Sequence, residues 1–123
     1  MGNGCVEVVG TETLQIVAKE IIVATGSPPR SVPGIKIDHK RIITSDEAIA
    51  LHEIPKSLMI MGSGAVGVEF ASIFSRFGSE VTLIELLPRL VPVEDEAISA
   101  ELEKSFKKQR IRCLTGTKVI TAT

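Results

Sequence analysis

Apolar and polar residues alternate loosely from Val6 to Ile16, and the interruption at Gly10-Thr11-Glu12 predicts a β-hairpin. The stretch from Lys19 to Thr25 becomes strongly apolar at Ile21-Ile22-Val23-Ala24, which predicts a buried strand stopped by Gly26-Ser27-Pro28-Pro29. Pro28 to His39 carries almost no periodicity and reads as a loop or crossing between two units. Thr44-Ser45-Asp46-Glu47 has the form of a capping box, predicting a short helix through Ala48, Ile49 and Leu51 that ends before Pro55. Leu58 to Met61 reads as a strand. Val66, Phe70, Ile73, Phe74 and Phe77 then recur at helical spacing up to Gly78, a good residue just past a helix end. Val81 to Glu85 is strand-like, and Leu86 to Pro92 forms a connection. The last helix spans about Glu94 to Gln109, with Ala97, Ile98, Leu102 and Phe106 on one face. Its acidic start and its basic end at Lys107, Lys108 and Arg110 complement the helix dipole. Ile111–Leu114 and Lys118–Thr121 predict two further short strands.

From Ser57 onward the order is β-α-β-α-β. That is the first half of an α/β, Rossmann-type, doubly wound parallel sheet with right-handed crossovers. The strands of the other half are not found before Thr123, so the unit reads as incomplete at its C-terminal end. A sheet cut there leaves an open strand edge, which favours self-association.

The chemistry sits in the first crossover. Gly62-Ser63-Gly64-Ala65-Val66-Gly67 follows the Leu58–Met61 run and opens the helical pattern. A pyrophosphate needs backbone N–H groups at close range, where side chains obstruct it. Gly62 suits the tight turn out of the strand, Gly64 the approach of the phosphates, and Gly67 close packing of helix on sheet. The helix N-terminus supplies N–H groups and the positive end of the dipole. Glycines at these spacings also arise by accident, and a glycine-rich turn beside a solvated glutamate is the ordinary alternative. Context favours the nucleotide, because Glu85 closes the next strand about 20 residues beyond the glycines, where a carboxylate accepts from a ribose 2′-OH. That charge repels a 2′-phosphate, so NAD is expected over NADP.

Composition narrows the rest. The 123 residues suit one domain, with four Phe as the only aromatics, and 14 basic against 15 acidic residues leave a net charge of −1. Nothing in that balance favours nucleic acid or an anionic membrane as partner. No apolar segment is long enough to span a bilayer, and the N-terminus has neither a signal peptide's apolar core nor an Arg-rich transit pattern, so a cytoplasmic setting is expected. Cys5 and Cys113 form no close pair and read as reduced thiols, Cys113 packed in a strand. With two His in the chain, no metal site is expected.

Taken together, several stretches resemble the two-dinucleotide flavoprotein disulfide reductases, and among them the branch that oxidises protein-bound dihydrolipoamide. They are Ile21-Ile22-Val23-Ala24-Thr25-Gly26-Ser27 with Pro33-Gly34, Ser45-Asp46-Glu47-Ala48, Ile54 through Glu69, and Val81 through Glu85. The similarity covers nearly the whole chain.

The resemblance implies that residues 1–44 are the C-terminal edge of an FAD-binding domain plus a linker, and that 45–123 are an incomplete NAD-binding Rossmann domain. It implies that Thr25, Gly26 and Ser27 touch FAD, although a plain strand-terminating turn accounts for them equally well. It places Gly62, Ser63, Gly64, Ala65, Val66, Gly67, Val68 and Glu69 around the pyrophosphate and nicotinamide of NAD, Glu85 on the adenosine ribose, and Val119 against the adenine. A solvated helix carboxylate is the ordinary role for Glu69, and a core residue the ordinary role for Val119.

For the parent enzyme the resemblance implies a redox disulfide, FAD as intermediate carrier and NAD⁺ as hydride acceptor. Its partners are lipoyl domains of 2-oxo-acid dehydrogenase complexes and a homodimer mate, and its compartment the cytoplasm, or the mitochondrial matrix in a eukaryote. The redox pair needs two close cysteines and a base. Neither is in this sequence, and His39 and His52 fall outside the matching motifs, so no catalytic residue is assigned. Mercuric- or glutathione-reductase-like relatives, and a non-catalytic dinucleotide-binding module, are the alternatives. The Thr25-Gly26-Ser27 segment argues against a stand-alone module.

Overall fold

The computed structural model describes residues 4–122; Met1 to Asn3 of the first proposed domain and Thr123 of the second lie outside the described residues. The predicted hairpin forms from β1 (Cys5–Val9) and β2 (Thr13–Val17), antiparallel, with Cys5 opposite Val17 and Val9 opposite Thr13. Both strands are exposed along nearly their whole length.

The apolar run after the hairpin departs from expectation. Ile21 to Ala24 pairs with no strand among the described residues, and Ile22 and Val23 are 91% and 80% exposed. The run has the composition of a buried strand, but a strand also needs a neighbour's N–H and C=O groups and an opposing apolar layer. None of the described elements supplies them to this segment.

The capping box is present as predicted. Thr44 N–H donates to Glu47 Oε2 at 2.7 Å and Thr44 Oγ1 accepts from Asp46 N–H at 3.2 Å, starting α1 (Ser45–Ala48). The helix ends before Ile49 and Leu51, which stay exposed. A single turn continues only where packing compensates the cost of ordering it, and no core lies under these two residues.

From Ser57 the structure is β3 (Ser57–Met61), α2 (Ala65–Arg76), β4 (Glu80–Ile84), α3 (Glu96–Lys108) and β5 (Arg112–Leu114). The three strands lie in the order β3-β4-β5, all parallel, with Ser57 beside Glu80, Met61 beside Ile84 and Ile84 beside Leu114. This is the expected α/β half-unit. Its core joins Ala71 and Phe74 of α2, Val81 and Leu83 of β4, Leu90 and Val91 of the connection, Phe106 of α3 and Ile111, with Leu58, Ile60, Phe70 and Leu102 packed against it. Phe70 and Phe74 stack with ring centroids 6.0 Å apart.

Two helical faces and one strand differ from the periodic pattern. Val66, Ile73 and Phe77 of the α2 series are exposed, and burial centres on Ala71 and Phe74. In α3 the buried positions are Ser99 and Phe106, whereas Ala97 and Ile98 face solvent. The face is rotated because Ser99 Oγ donates to the Leu90 carbonyl at 2.6 Å, pinning the first turn of α3 to the connection. Lys118–Thr121 forms no strand. After β5 the chain bends at Gly116, and Gly116 and Thr117 N–H donate to Leu87 and Glu85 carbonyls at 2.8 and 2.9 Å, which draws the backbone across the end of β4.

Candidate dinucleotide-binding site

Parallel pairing brings the carboxyl ends of β3 and β4 together, and the ladder continues past them. Gly62 N–H donates to the Ile84 carbonyl at 2.8 Å, and Glu85 N–H donates to the Leu114 carbonyl at 2.9 Å. The glycine turn and the acidic strand end are therefore neighbours at the edge where doubly wound sheets bind nucleotides.

The turn has the backbone that its glycines permit. Gly62 has φ 99°, the left-handed region that β-carbon sterics disfavour. A Cβ built on Gly67 would collide with the Gly62 carbonyl oxygen, so the helix approaches the turn only because position 67 has no side chain. A Cβ at Gly64 would meet nothing within 4 Å, so this side of the turn is open. Gly64 provides no side-chain cap for α2, and Val68 N–H is the first to reach back, to the Gly64 carbonyl at 3.1 Å. The amides of Ala65, Val66 and Gly67 thus lack partners within the helix. An uncapped amide cluster at the positive end of a helix dipole, beside open space, fits an anionic diphosphate.

Glu85 is buried, 8% exposed, and its carboxylate is held by donors. Oε2 accepts from both Ser63 N–H and Ser63 Oγ, each at 2.8 Å, and Oε1 accepts from Leu87 N–H at 2.9 Å. Burial pushes its pKa up, but the Leu87 and Ser63 donors outweigh that, and the carboxyl lies below the usual range. It therefore stays ionised at neutral pH.

Ser63, fully buried, also accepts Val91 N–H on its carbonyl at 3.0 Å. Val91 is itself at φ 39°, an uncommon conformation for a β-branched residue. Ser63 thus links the glycine turn, the end of β4 and the connection to α3. Sequence spacing pointed to Ser63 as part of the nucleotide loop but carried no sign of this network, since 22 residues separate it from Glu85.

The remaining predicted positions are distributed less tightly. Glu69 is exposed on α2, and Val119 is half-buried in the irregular segment after Gly116. Thr25, Gly26 and Ser27 lie on the exposed segment that follows Ile21–Ala24. Arg89 turns its guanidinium onto its own connection, where Nη2 donates to the Pro92 and Glu94 carbonyls at 3.0 and 3.1 Å. Cys5 and Cys113 are both free thiols. Burial, and then the Glu103 charge, push the Cys113 thiol up, which suppresses the reactive thiolate. Cys113 lines an open groove of about 460 Å³ with Glu103, Lys104, Lys107 and Ile111, which shares no residue with the glycine turn. Among the described residues no group of three His, Cys, Asp or Glu side chains is placed to hold a metal, and no helix is long and apolar enough to cross a membrane.

Sheet order, glycine turn and buried acidic strand end have the form of the β-α-β units of the doubly wound α/β class. Residues 1–123 match the family described as pyridine nucleotide-disulphide oxidoreductase, and the chain belongs to that family. It is 45% identical over 114 residues to the dihydrolipoyl dehydrogenase of Bacillus subtilis, a match covering 93% of this chain and 24% of that protein. The mitochondrial dihydrolipoyl dehydrogenase 2 of Arabidopsis thaliana is 42% identical over 115 residues, 94% of this chain and 23% of that protein. The chain therefore spans about a quarter of the length of these curated relatives. Among solved structures, LpdA of Mycobacterium tuberculosis is similar with a TM-score of 0.71 at 30% identity, over 91% of this chain and 24% of that one. The flavoprotein disulfide reductase RclA of Escherichia coli gives a TM-score of 0.68 at 28% identity, over 98% of this chain and 28% of that one.

Proposed function

We propose that this chain is the NAD-binding portion of a dihydrolipoyl dehydrogenase, an enzyme that oxidises protein-bound dihydrolipoamide through a disulfide and FAD and passes hydride to NAD⁺. Residues 1–44 are then the edge of the FAD-binding domain with its linker, and residues 45–123 the NAD-binding domain. The observation that carries the reading is the glycine turn closed against Gly67 and joined through Ser63 to an ionised Glu85. The unpartnered amides of Ala65, Val66 and Gly67 hold the pyrophosphate, and Glu85 accepts from the adenosine ribose. Nicotinamide, when bound, would supply the hydride-accepting ring, and Val68 and Glu69 would help to hold the nucleotide, with Val119 against the adenine.

Charge decides between the two nicotinamide nucleotides. An ionised, buried Glu85 repels a 2′-phosphate, and Arg89, the nearest downstream cation, is engaged by the Pro92 and Glu94 carbonyls. No residue of this chain is assigned a role in dihydrolipoamide oxidation, and lipoyl domains of 2-oxo-acid dehydrogenase complexes and a homodimer mate are partners of the whole enzyme. Titration calorimetry of the protein with NADH and NADPH tests the reading. NADH is expected to bind weakly and NADPH at least roughly tenfold more weakly. The protein is expected to retain no FAD and to show no lipoamide activity. Equal affinity for the two nucleotides, or a bound-flavin spectrum in the purified protein, contradicts it.

A further inference from the structure

The connection between β4 and α3 reaches the glycine turn through Val91, whose N–H donates to the Ser63 carbonyl at 3.0 Å. Val91 aims that N–H from φ 39°, a left-handed backbone that β-branched side chains disfavour and that persists only where surrounding contacts impose it. Those contacts lie just beyond it. Glu94 N–H donates to the Val91 carbonyl at 2.9 Å and closes a turn over residues 91–94. Arg89, half-buried, folds over that turn, and its Nη2 donates to the Pro92 carbonyl at 3.0 Å and to the Glu94 carbonyl at 3.1 Å. Among the described residues no carboxylate pairs with Arg89, so its charge serves these two carbonyls. Such charge-assisted bonds are about twice as strong as neutral ones.

We propose that Arg89 is a positioning residue for the nucleotide site: by holding the turn at 91–94 it keeps Val91 N–H on the Ser63 carbonyl, and so keeps the glycine turn in its binding shape. It acts through the backbone and not by its charge at the ligand. Ser63 is the junction. Its N–H is engaged by Glu85 at 2.8 Å and its carbonyl by Val91, which fixes the peptide groups on both sides of it, between Gly62 and Gly64. Without Arg89 the strained Val91 relaxes, its N–H leaves Ser63, and the peptide that leads into the Ala65, Val66 and Gly67 amides loses its anchor. The inference rests on the reading that those amides hold the pyrophosphate.

The test combines NADH titration with amide hydrogen exchange on the protein and on Arg89→Met, which keeps a long apolar stem without donors or charge. Arg89→Met is expected to bind NADH roughly fivefold more weakly. The ratio of the two affinities should hold between about 50 and about 500 mM NaCl, whereas a charge acting at the ligand is screened over that range. In the nucleotide-free variant the Val91 amide should exchange at least about tenfold faster. The Ile111 amide, bonded to the Phe106 carbonyl beyond the far end of α3, should change little. One measurement needs no variant. Because coupling is reciprocal, saturating NADH should slow exchange at Val91 in the unsubstituted protein several-fold more than at Ile111. Unchanged NADH affinity in Arg89→Met, a loss that high salt abolishes, equal acceleration of the two amides in the variant, or equal slowing of them by NADH overturns the proposal. If the unsubstituted protein binds no NADH, the reading beneath it fails and the proposal with it; binding that Arg89→Met leaves intact removes the role of Arg89 alone.

Discussion

Gly67 stands directly against the carbonyl oxygen of Gly62, so closely that a β-carbon at position 67 would overlap it. The contact joins the first turn of α2 to the turn that leaves β3. The colliding atom is backbone, which cannot swing aside as a side-chain end does. Gly67→Ala should therefore displace the helix from the sheet, lowering stability by about 1–3 kcal/mol and weakening NADH binding. Chemical denaturation and nucleotide titration of the same variant check both effects. A variant with unchanged stability would mean that the turn yields without cost.

Glu85→Arg should weaken NADH and shift the preference toward NADPH. The expected loss of NADH affinity is roughly tenfold or more. Stability should fall as well, because Ser63 and Leu87 lose the acceptor for three hydrogen bonds. Unchanged NADH affinity in calorimetry would remove Glu85 from the ribose site.

Ser99→Ala should destabilise the protein by loosening the connection between β4 and α3. Ser99 is 2% exposed, and its hydroxyl satisfies the Leu90 carbonyl beside the strained Val91. Leaving that carbonyl unpaired costs about 1–3 kcal/mol, measurable as a lower denaturation midpoint with an unchanged slope.

Phe106→Ala removes the aromatic side chain that α3 contributes to the core, where Phe106 is 2% exposed. The expected loss is about 3–5 kcal/mol. Phe77→Ala, at a position 61% exposed, should change stability by less than about 0.5 kcal/mol. Thermal unfolding of the two variants distinguishes the burial in the structure from the equal status that helical spacing alone assigned to them.

The capping box should show in acid. Thr44 N–H, then the His39 ring at 2.7 Å and the Thr44 hydroxyl, lower Glu47 from 4.5 to about 2. A carboxyl depressed on folding adds stability that is present above its unfolded value and is lost as pH falls toward its folded value. The Glu47 contribution should therefore fade between about 4.5 and about 2, and the carboxyl titration followed by NMR should move upward in His39→Gln. An unmoved titration would show that His39 contributes nothing to the depression.

Much of this architecture was legible in the chain because its signals are local. The capping box Thr44 to Glu47 spans four consecutive residues, and the glycines of the first crossover are set by the turn they occupy. The order of β3, α2, β4, α3 and β5 followed from periodicity and breakers. Where burial depended on partners distant in sequence, the pattern misled. Ile21 to Ala24 has the composition of a buried strand but no partner among the described elements, and Lys118 to Thr121 is drawn across β4 by the Gly116 and Thr117 amides. The face of α3 is rotated by the Ser99 bond to Leu90, which no spacing within the helix encodes.

The amino-acid sequence by itself determined that this protein carries a strand, a glycine turn, a helix and an acidic strand end in dinucleotide-binding order, since each depends on residue type and neighbours a few positions away. The tertiary structure alone decided how the acid is presented. Parallel pairing of β3 with β4 brings Ser63 beside Glu85 across 22 residues of chain, and the two Ser63 donors then hold one carboxylate oxygen while Leu87 N–H holds the other. Register and hydrogen-bond saturation arise only when distant segments meet, so they are properties of the fold and not of any one stretch of it.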